Sequence, residues 1–494
     1  MKAHNNWKHH LKHIWIFILV VFVLGDESVA NDIRVTNVRL TGQVNDSHTF
    51  VNFDLNWENS WRNSTNWDAA WIFVKYRVGS GDWFHATLSS DELNHTAPTG
   101  STIAPASDGK GVFIHRNSDG TGENIFNDVL LRWDYPVDGV ANDAQVTVKV
   151  FAIEMVYIPE GSFQVGDGSS TNRFHIAGDP STPFTISSEA EIILNDTITT
   201  NPNPNSLWAT GGFRYDTGLI PAEFPKGYDA FYIMKYEITQ GQYADFLNTV
   251  TALQSDNRFD VILADRHTIT GVHPWVVAGR PSRACNYLSY MDGAAYAAWA
   301  GLRPMTEFEF EKACRGPENP VAGEYAWGNT FFDYTGNVSG AEDGTETVIG
   351  DMNVNAGATI FSNGDGAYGP LRTGIFAATL NTRQGSGGSY YGVMELSGNT
   401  WETVITADSL GRNFQGTNGT GVLSNGGSAT NTDWPGFSLT SVQFADGSGG
   451  RGGGFNSIES LQISSRIYAS TGAGRSGGNG FRCVRKANSN QSGL

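Results

Sequence analysis

Cysteine is scarce in this chain of 494 residues, with Cys285, Cys314 and Cys483 as its only three thiols. An odd number of cysteines permits at most one internal disulfide. A bridge between Cys314 and Cys483 is one option, and three buried free thiols are the other. The sequence has no CxxC pair and no Cys/His spacing of the kind that holds zinc, so a thiolate zinc centre is excluded.

Positive charge is also limited, because 32 Lys and Arg residues stand against 50 Asp and Glu residues. The net charge of −18 argues against a nucleic-acid partner, since binding to polyphosphate needs a basic surface. The acidic excess indicates either a solvated acidic surface or carboxylates gathered around hard cations.

Long apolar runs are absent after the N-terminus. Three lysines precede one apolar run from Ile14 to Leu24, which is followed by the small-residue end Ser28-Val29-Ala30. The run is shorter than the roughly 20 residues that span a bilayer. This pattern predicts a signal peptide at residues 1–30, with an uncleaved anchor as the alternative. We therefore expect a secreted, extracellular or cell-surface protein without a membrane span in its mature form.

Apolar residues make up 39% of the chain, including 14 Trp, 17 Tyr and 28 Phe, and its length predicts two to three domains with packed cores. Residues 31–153 alternate apolar and polar positions with period two, as in Val51, Phe53, Leu55 and Trp57. This alternation predicts half-buried strands in an all-β sandwich of immunoglobulin or fibronectin type.

The character of the sequence changes at Met155. A loop-rich stretch follows at about 167–227, and helix signals come after it. Thr239 is a candidate N-cap, and Thr306 with Glu309 forms a capping box. Residues 154–487 are therefore predicted to form an α+β domain that is followed by a tail at 488–494.

Several motifs in this second region occur in a fixed order. They are Met155–Phe163, Phe231–Thr239, Ala295–Glu307, Cys314–Gly316, Tyr325–Asn329, Gly392–Glu402, Arg451–Phe455 and Gly480–Cys483. In this order they resemble the formylglycine-generating-enzyme (sulfatase-modifying-factor) family. The resemblance implies the family's variant of the C-type-lectin-like fold, an α+β arrangement with much irregular chain.

The enzymes of this family use two cysteines soon after the "GGS" turn to bind Cu(I) and perform an oxidation. The corresponding positions in this chain are Ser457 and Gln462, and no cysteine occurs between residues 315 and 482. Hydroxyl and amide groups do not replace soft thiolates as Cu(I) ligands. We therefore expect a non-catalytic member, a pseudoenzyme. The alternative is a formylglycine-generating-type oxidoreductase, or another enzyme with altered chemistry in the equivalent cleft.

Other chemistries have weaker signals. His267 and His273 form the closest histidine pair of the second region, but their spacing of six fits no helical ligand face and no facial triad. Neither a GxSxG elbow with a triad context nor a Walker loop occurs. Carboxylates are abundant, although no spacing nominates a glycosidase pair.

The resemblance also implies two structural calcium sites. The first would use Asn353, Val354, Asp365 and Ala367, and the second would use Asn399, Thr400 and Glu402. Such mixtures of carboxylate, amide and backbone oxygens suit Ca²⁺. The alternative is that these residues only build turns.

The predicted partners are an extracellular protein or a glycan, or further copies of the chain. Trp275, Tyr390, Tyr391 and Trp434 are candidate contact residues, and Trp61 and Trp67 are candidates in the sandwich, although packing is the favoured use of each. An unpaired edge strand of the sandwich would serve self-assembly.

Overall fold

The computed structural model describes residues 33–169, 172–194, 206–209, 217–334, 337–340, 344, 346–350, 352–356, 368–377, 382–437, 445–458, 460–470, 472 and 474–488. The predicted signal peptide, the tail from residue 489, and Asp365 and Ala367 lie outside these residues. Within the described part, no helix combines the length and apolar character needed to cross a membrane.

The described chain is mostly sheet with few helices, in keeping with an α+β protein. The first strands are β1 (Arg34–Val44), β2 (His48–Arg62), β3 (Asp68–Val78), β4 (Phe84–His85), β5 (Ser101–Pro105), β6 (Val112–Arg116), β7 (Gly120–Trp133) and β8 (Val146–Ile158). The next are β9 (Phe163–Val165), β10 (Phe174–Ile176), β11 (Phe184–Ile186), β12 (Ile192–Leu194), β13 (Leu207–Ala209), β14 (Gly218–Ile220), β15 (Phe231–Met234), β16 (Ile269–Thr270) and β17 (Val277–Ala278). The last are β18 (Arg303–Pro304), β19 (Asn337–Ser339), β20 (Thr347–Ile349), β21 (Trp401–Ile405), β22 (Ser448–Arg451), β23 (Asn479–Gly480) and β24 (Cys483–Lys486).

Four α-helices lie in the described part of the second region. They are α1 (Gln240–Asn248), α2 (Ala252–Arg258), α3 (Tyr290–Trp299) and α4 (Glu307–Arg315), with short 3₁₀ turns at Glu92–Asn94 and Gly411–Asn413. Thr239 and Thr306 cap α1 and α4 through complete capping boxes with Gln242 and Glu309. The helix starts predicted at these threonines are confirmed.

The N-terminal region fits a β-sandwich. One sheet has the order β1-β2-β7, and β3, β5, β6 and β8 belong to the other sheet. The alternating residues Val51, Phe53, Leu55 and Trp57 of β2 are at most 1% exposed and form part of the core between the sheets. The period-two pattern therefore predicted this strand and its buried face.

β1 is an exposed edge strand with two interruptions. Its pairing with β2 shifts register around Asn37 and Gly42, which have φ angles of 57° and 63°. Such irregularities break the row of backbone groups that a second copy would need for strand addition. Self-assembly through this edge is thereby disfavoured.

β8 joins the two predicted domains as one continuous strand. Residues 146–156 of β8 pair with β3, and residues 155–158 pair with β15. The larger sheet therefore runs through both regions in the order β18-β24-β15-β8-β3-β6-β5. The predicted boundary between residues 153 and 154 falls inside this strand, so no linker separates the regions.

β3 is buried on both faces, although its alternation predicted a half-buried strand. Every residue from Asp68 to Tyr76 is buried. One face contributes to the sandwich core, and the other carries Trp71 and Phe73 against the second region, where Phe73 meets Trp299 edge to face at 5.0 Å. A half-buried strand was the wrong expectation because the second region covers the face that solvent would otherwise reach.

β3 also caps α3. Trp71 Nε1 donates to Ala300 O at 2.8 Å, and Lys75 Nζ donates to Trp299 O at 2.7 Å. The last carbonyls of a helix have no partner inside the helix, and these two side-chain donors satisfy them. The sandwich therefore completes the end of a helix that belongs to the second region.

Candidate functional site

A glycine turn leads from β22 to the position of the first family cysteine. Gly452 and Gly453 have φ angles of 78° and 68°, and a Cβ on Gly452 would lie 2.6 Å from Leu396 O. A larger residue at position 452 would therefore clash with the backbone as well as strain its own. After this turn, Ser457 N donates to Gly454 O at 2.9 Å.

The surroundings of Ser457 are aromatic and polar. Ser457 is half-buried, and Phe455 beside it meets Tyr368 edge to face at 4.7 Å. Tyr287 donates a 2.6 Å hydrogen bond to Asp265, which lies close to Tyr368. The side chains at this edge offer hydroxyl, amide and carboxylate oxygens, which are hard ligands that do not select Cu(I).

Gln462, at the position of the second cysteine, is a structural residue. Its Oε1 accepts a hydrogen bond from Arg173 Nη2, and Arg173 Nε pairs with Asp167 Oδ2 at 3.1 Å. Gly323 N donates to the same carboxylate oxygen at 3.0 Å. Although burial favours the neutral acid, these donors hold the pKa of Asp167 below its usual value. The amide thus joins three separate segments of chain.

The three cysteines are free and buried, so the bridge considered between Cys314 and Cys483 is not formed. Burial raises the thiol pKa of Cys285, Cys314 and Cys483. A thiol with a raised pKa is a poor nucleophile and a poor metal ligand. None of them supplies the missing pair.

A buried ion-pair network surrounds α4. Arg451 Nη1 is 2.9 Å from Glu307 Oε2, and Arg451 Nη2 is 2.6 Å from Glu311 Oε1. Arg466 pairs with Glu307 at 2.8 Å, and Arg315 pairs with Glu311 at 3.3 Å. Every residue of α4 is buried, and these partners explain how a helix with five charged residues lies in the interior.

The loop of the second predicted calcium site is built around Glu237. Asn399 Oδ1 accepts hydrogen bonds from Asn355 Nδ2 at 3.0 Å and Leu371 N at 2.8 Å, while its Nδ2 donates to Glu237 Oε2 at 2.7 Å. Thr400 donates to Glu237 Oε1 through both its backbone N–H and its hydroxyl at 2.8 Å. Both lone pairs of the Asn399 amide oxygen therefore face N–H donors.

Glu402 faces a guanidinium group. Its Oε1 lies 2.8 Å from Arg482 Nη2, and both side chains are fully buried. Burial and the nearby carboxylates raise the pKa of Glu237, and burial raises the pKa of Glu395 to about 7. The positive group beside these acids is Arg482, while Glu402 Oε2 and Glu395 Oε2 are buried without a hydrogen-bond partner among the described residues. The calcium site at Asn399, Thr400 and Glu402 therefore stays a prediction.

The first predicted calcium loop is described only in part. Asn353 Oδ1 accepts a hydrogen bond from Asp333 N at 3.0 Å, and Asn353 Nδ2 donates to Gln384 O at 2.8 Å. One lone pair of the amide oxygen is left for a cation. The Val354 side chain is buried, while Asp365 and Ala367 lie outside the described residues. Among the described residues, no group of three or more His, Cys, Asp or Glu side chains could hold a metal ion.

The structure sorts the candidate contact residues by exposure. Trp275 is 74% exposed and Tyr390 is 36% exposed, whereas Tyr391 and Trp434 are buried and therefore pack. In the sandwich, Trp67 is buried and stacks on Tyr157 at 4.0 Å, so its use in a ligand platform was the wrong reading.

The two histidines are hydrogen-bonded. His267 Nδ1 lies 2.9 Å from Asn286 Oδ1, and His273 Nε2 lies 2.9 Å from Val250 O. They do not converge on a common metal position in the described chain.

Sequence reasoning missed the partners of the site residues. Arg173 comes from the loop-rich stretch, and Asp167 lies near the start of that stretch. No local pattern marks either residue, because the hydrogen bond between Arg173 and Gln462 joins positions nearly 300 residues apart. The charges of α4 were visible in the sequence, but their burial was not.

Known proteins resemble this chain over its second region. A family profile described as "Sulfatase-modifying factor enzyme 1-like domain" matches residues 142–487. A formylglycine-generating enzyme of Bos taurus is 27% identical over 130 residues, which are 20% of this chain and 34% of that enzyme. A formylglycine-generating enzyme of Streptomyces coelicolor is 46% identical over 54 residues, which are 11% of this chain and 16% of that enzyme.

The family profile covers well over half of the chain, and the chain belongs to the FGE-sulfatase (sulfatase-modifying-factor) family. The matched range begins before β8, in agreement with the continuity of that strand across the predicted boundary. The chain spans only about a third of the first relative and about a sixth of the second.

Proposed function

We propose that this chain is a secreted, non-catalytic binding protein that uses the sulfatase-modifying-factor scaffold to recognise an extracellular protein or glycan. The observation that carries this proposal is the state of residue 462. A glutamine stands where the resemblance places a copper-binding thiolate, and its amide is held by Arg173. A group already used to fix the backbone is not available as a metal ligand.

The competing function is oxidation of a cysteine in a protein substrate, which the names of the two relatives favour. That chemistry needs soft ligands for Cu(I), and the buried thiols with raised pKa do not provide them. An enzyme that uses Ser457 in altered chemistry would need a base within hydrogen-bond reach of the hydroxyl.

Anaerobic titration with Cu(I) separates these functions. We expect the wild-type chain to show no stoichiometric high-affinity site and no oxygen-dependent oxidation of a cysteine peptide. The double variant Ser457→Cys, Gln462→Cys restores the thiolate types and should bind Cu(I) more tightly by several orders of magnitude. Tight binding by the wild type, together with peptide oxidation, would overturn the proposal.

Calcium remains part of the proposal for the first loop only. A cation bound to the native state at 100 times its Kd should add about 2.7 kcal/mol to the free energy of unfolding. The melting temperature should therefore fall when a chelator removes calcium. Asp365→Asn should abolish this dependence, whereas Asp82→Asn, an exposed change in the sandwich, should retain it. An unchanged melting temperature after verified calcium removal would end the calcium proposal.

A further inference from the structure

A polar groove crosses the second region on one side of α4. A cavity of about 400 Å³ lies between the 222–231 segment and residues 415–417. A second cavity of about 360 Å³ continues it toward Arg412 and Asp433. The two cavities share Glu223, Gln415 and Thr417 in their walls, so they form one groove. Each volume lies within the range of roughly 300–1,000 Å³ that is usual for ligand sites.

The groove is distinct from the positions of Ser457 and Gln462. Its floor contains Arg303 and Glu309, which lie beside the N-terminal end of α4. The segment that carries Gln462 instead contacts the other end of the helix, where Arg315 donates to Ser464 at 2.8 Å. Nine helical residues separate these ends by about 13 Å.

The floor of the groove holds an unsatisfied donor. Arg303 is 2% exposed, and its two terminal nitrogens bind the two oxygens of Glu309. Its Nε has no hydrogen-bond partner among the described residues. A buried N–H without an acceptor costs about 1–3 kcal/mol, so a ligand acceptor that reached this N–H would offset that cost.

Most charged side chains that line the groove already bind other groups of the protein. Lys486 pairs with Asp229 at 2.8 Å, and Glu189 accepts hydrogen bonds from the backbone N–H groups of Lys226 and Asp229. Glu223 is exposed, and among the described residues its side chain forms no hydrogen bond or ion pair, although it acts on Lys226 at longer range. Arg412 donates to the backbone carbonyls of Leu219 and Thr217. The carboxylates of the lining outnumber the cations, so the groove disfavours an anionic ligand.

The walls are fixed before any ligand binds. Lys226 Nζ donates to Pro221 O at 2.5 Å and to Phe224 O at 2.9 Å. Asp433 accepts hydrogen bonds from Gln415 N at 3.0 Å and from Thr417 Oγ1 at 2.5 Å. Binding to a wall that is already ordered loses little conformational entropy.

We infer that this groove binds a neutral oligosaccharide, an inference that rests on the proposed binding function and names its ligand class. Sugar hydroxyls both donate and accept hydrogen bonds, so they suit the exposed carboxylate of Glu223 and the exposed amide of Gln415. The apolar lining residues, Pro221, Ala222, Pro225, Ala230 and Phe231, suit the C–H faces of a sugar ring. The groove offers no deep apolar pocket for the side chain of a peptide.

The test uses the full mature chain on an array of neutral, uronic-acid-containing and sulfated oligosaccharides of a few units, followed by calorimetric titration of the best neutral ligand. The double variant Glu223→Ala, Gln415→Ala changes two exposed side chains and should weaken binding about tenfold or more. Glu318→Ala, an exposed acidic residue outside the groove, should bind as the wild type does. Thermal melting confirms that each variant is folded.

The proposed binding site would be overturned by a blank array, by binding to charged sugars alone, or by unchanged binding of the double variant. Loss of neutral-sugar binding only in Trp275→Ala would also overturn it, while leaving a binding function in place at the exposed tryptophan. The proposed function itself fails by a different result, which is copper binding with peptide oxidation by the wild type.

Discussion

A chain that begins at residue 154 should fail to fold, whereas the chain that begins at residue 31 should unfold in a cooperative transition. The truncation divides β8 and removes β3, its partner along residues 146–156. It also removes Trp67, Trp71, Phe73, Phe113 and Phe151, which belong to the same core cluster as α1 and α3. Each buried aromatic of this kind contributes roughly 3–5 kcal/mol, so their joint loss exceeds a typical total stability of about 5–15 kcal/mol.

The truncation also exposes unsatisfied polar groups. Trp299 O and Ala300 O lose the donors Lys75 and Trp71. Lys235, which is buried, loses Asp68 and keeps only Glu154 at the new chain end. These losses occur because β8 is continuous across the two regions and no linker separates them. The sandwich is therefore an integral part of the second region.

Circular dichroism and dye binding would measure this outcome. The truncated chain should lack near-ultraviolet signals from fixed aromatic residues and should bind a hydrophobic dye. A second chain that begins at Arg34 keeps β1 and should behave like the mature protein. A monomeric 154–487 fragment with a sharp thermal transition would contradict the prediction.

Local sequence signals predicted local structure well. The capping boxes at Thr239 and Thr306 depend on residues three positions apart, and both are present. The alternation in β2 predicted its buried face because the face of a strand is set by the neighbours in sequence. The ordered motifs of the second region likewise predicted the family before any contact was known.

The same local signals could not predict burial by residues that are distant in sequence. The pattern of β3 could not reveal that a second region covers its outer face. In α4, Glu307 and Glu311 have the composition of a solvated helix, yet they pair with Arg451 and Arg466, which lie far away in sequence. The interior position of this helix depends in part on these long-range ion pairs, which no local window contains.

The calcium loops show a further limit of motif reasoning. The sequence predicted that Asn399 and Glu402 belong to one site, and the structure places Asn399 just before β21 and Glu402 within it. It did not show that the amide oxygen of Asn399 would accept two N–H donors or that Glu402 would face Arg482. A ligand set is a property of free lone pairs, and residue types alone do not determine which lone pairs remain free.

Replacing Arg451 with Met should lower the free energy of unfolding by about 3–5 kcal/mol. Arg451, Glu307 and Glu311 are fully buried, and the substitution leaves both carboxylates without one of their cations. Ile463 O also loses its 2.8 Å donor. Removing one partner of a buried pair is costly because the remaining charge keeps its desolvation penalty without the compensating attraction.

The matched control is Arg39→Met, which breaks an ion pair of 2.9 Å whose side chains are 53% and 72% exposed. Surface pairs contribute about 0–1 kcal/mol, so this variant should unfold close to the wild-type urea midpoint. A pH series adds a second readout. Burial opposes ionisation of Glu307, but Arg466 and Arg451 outweigh it and lower its pKa, so this group adds stability that is lost as pH falls through the native-state pKa. Arg451→Met should reduce that loss, and equal urea midpoints for the two variants would contradict the assignment of Arg451 to the buried network.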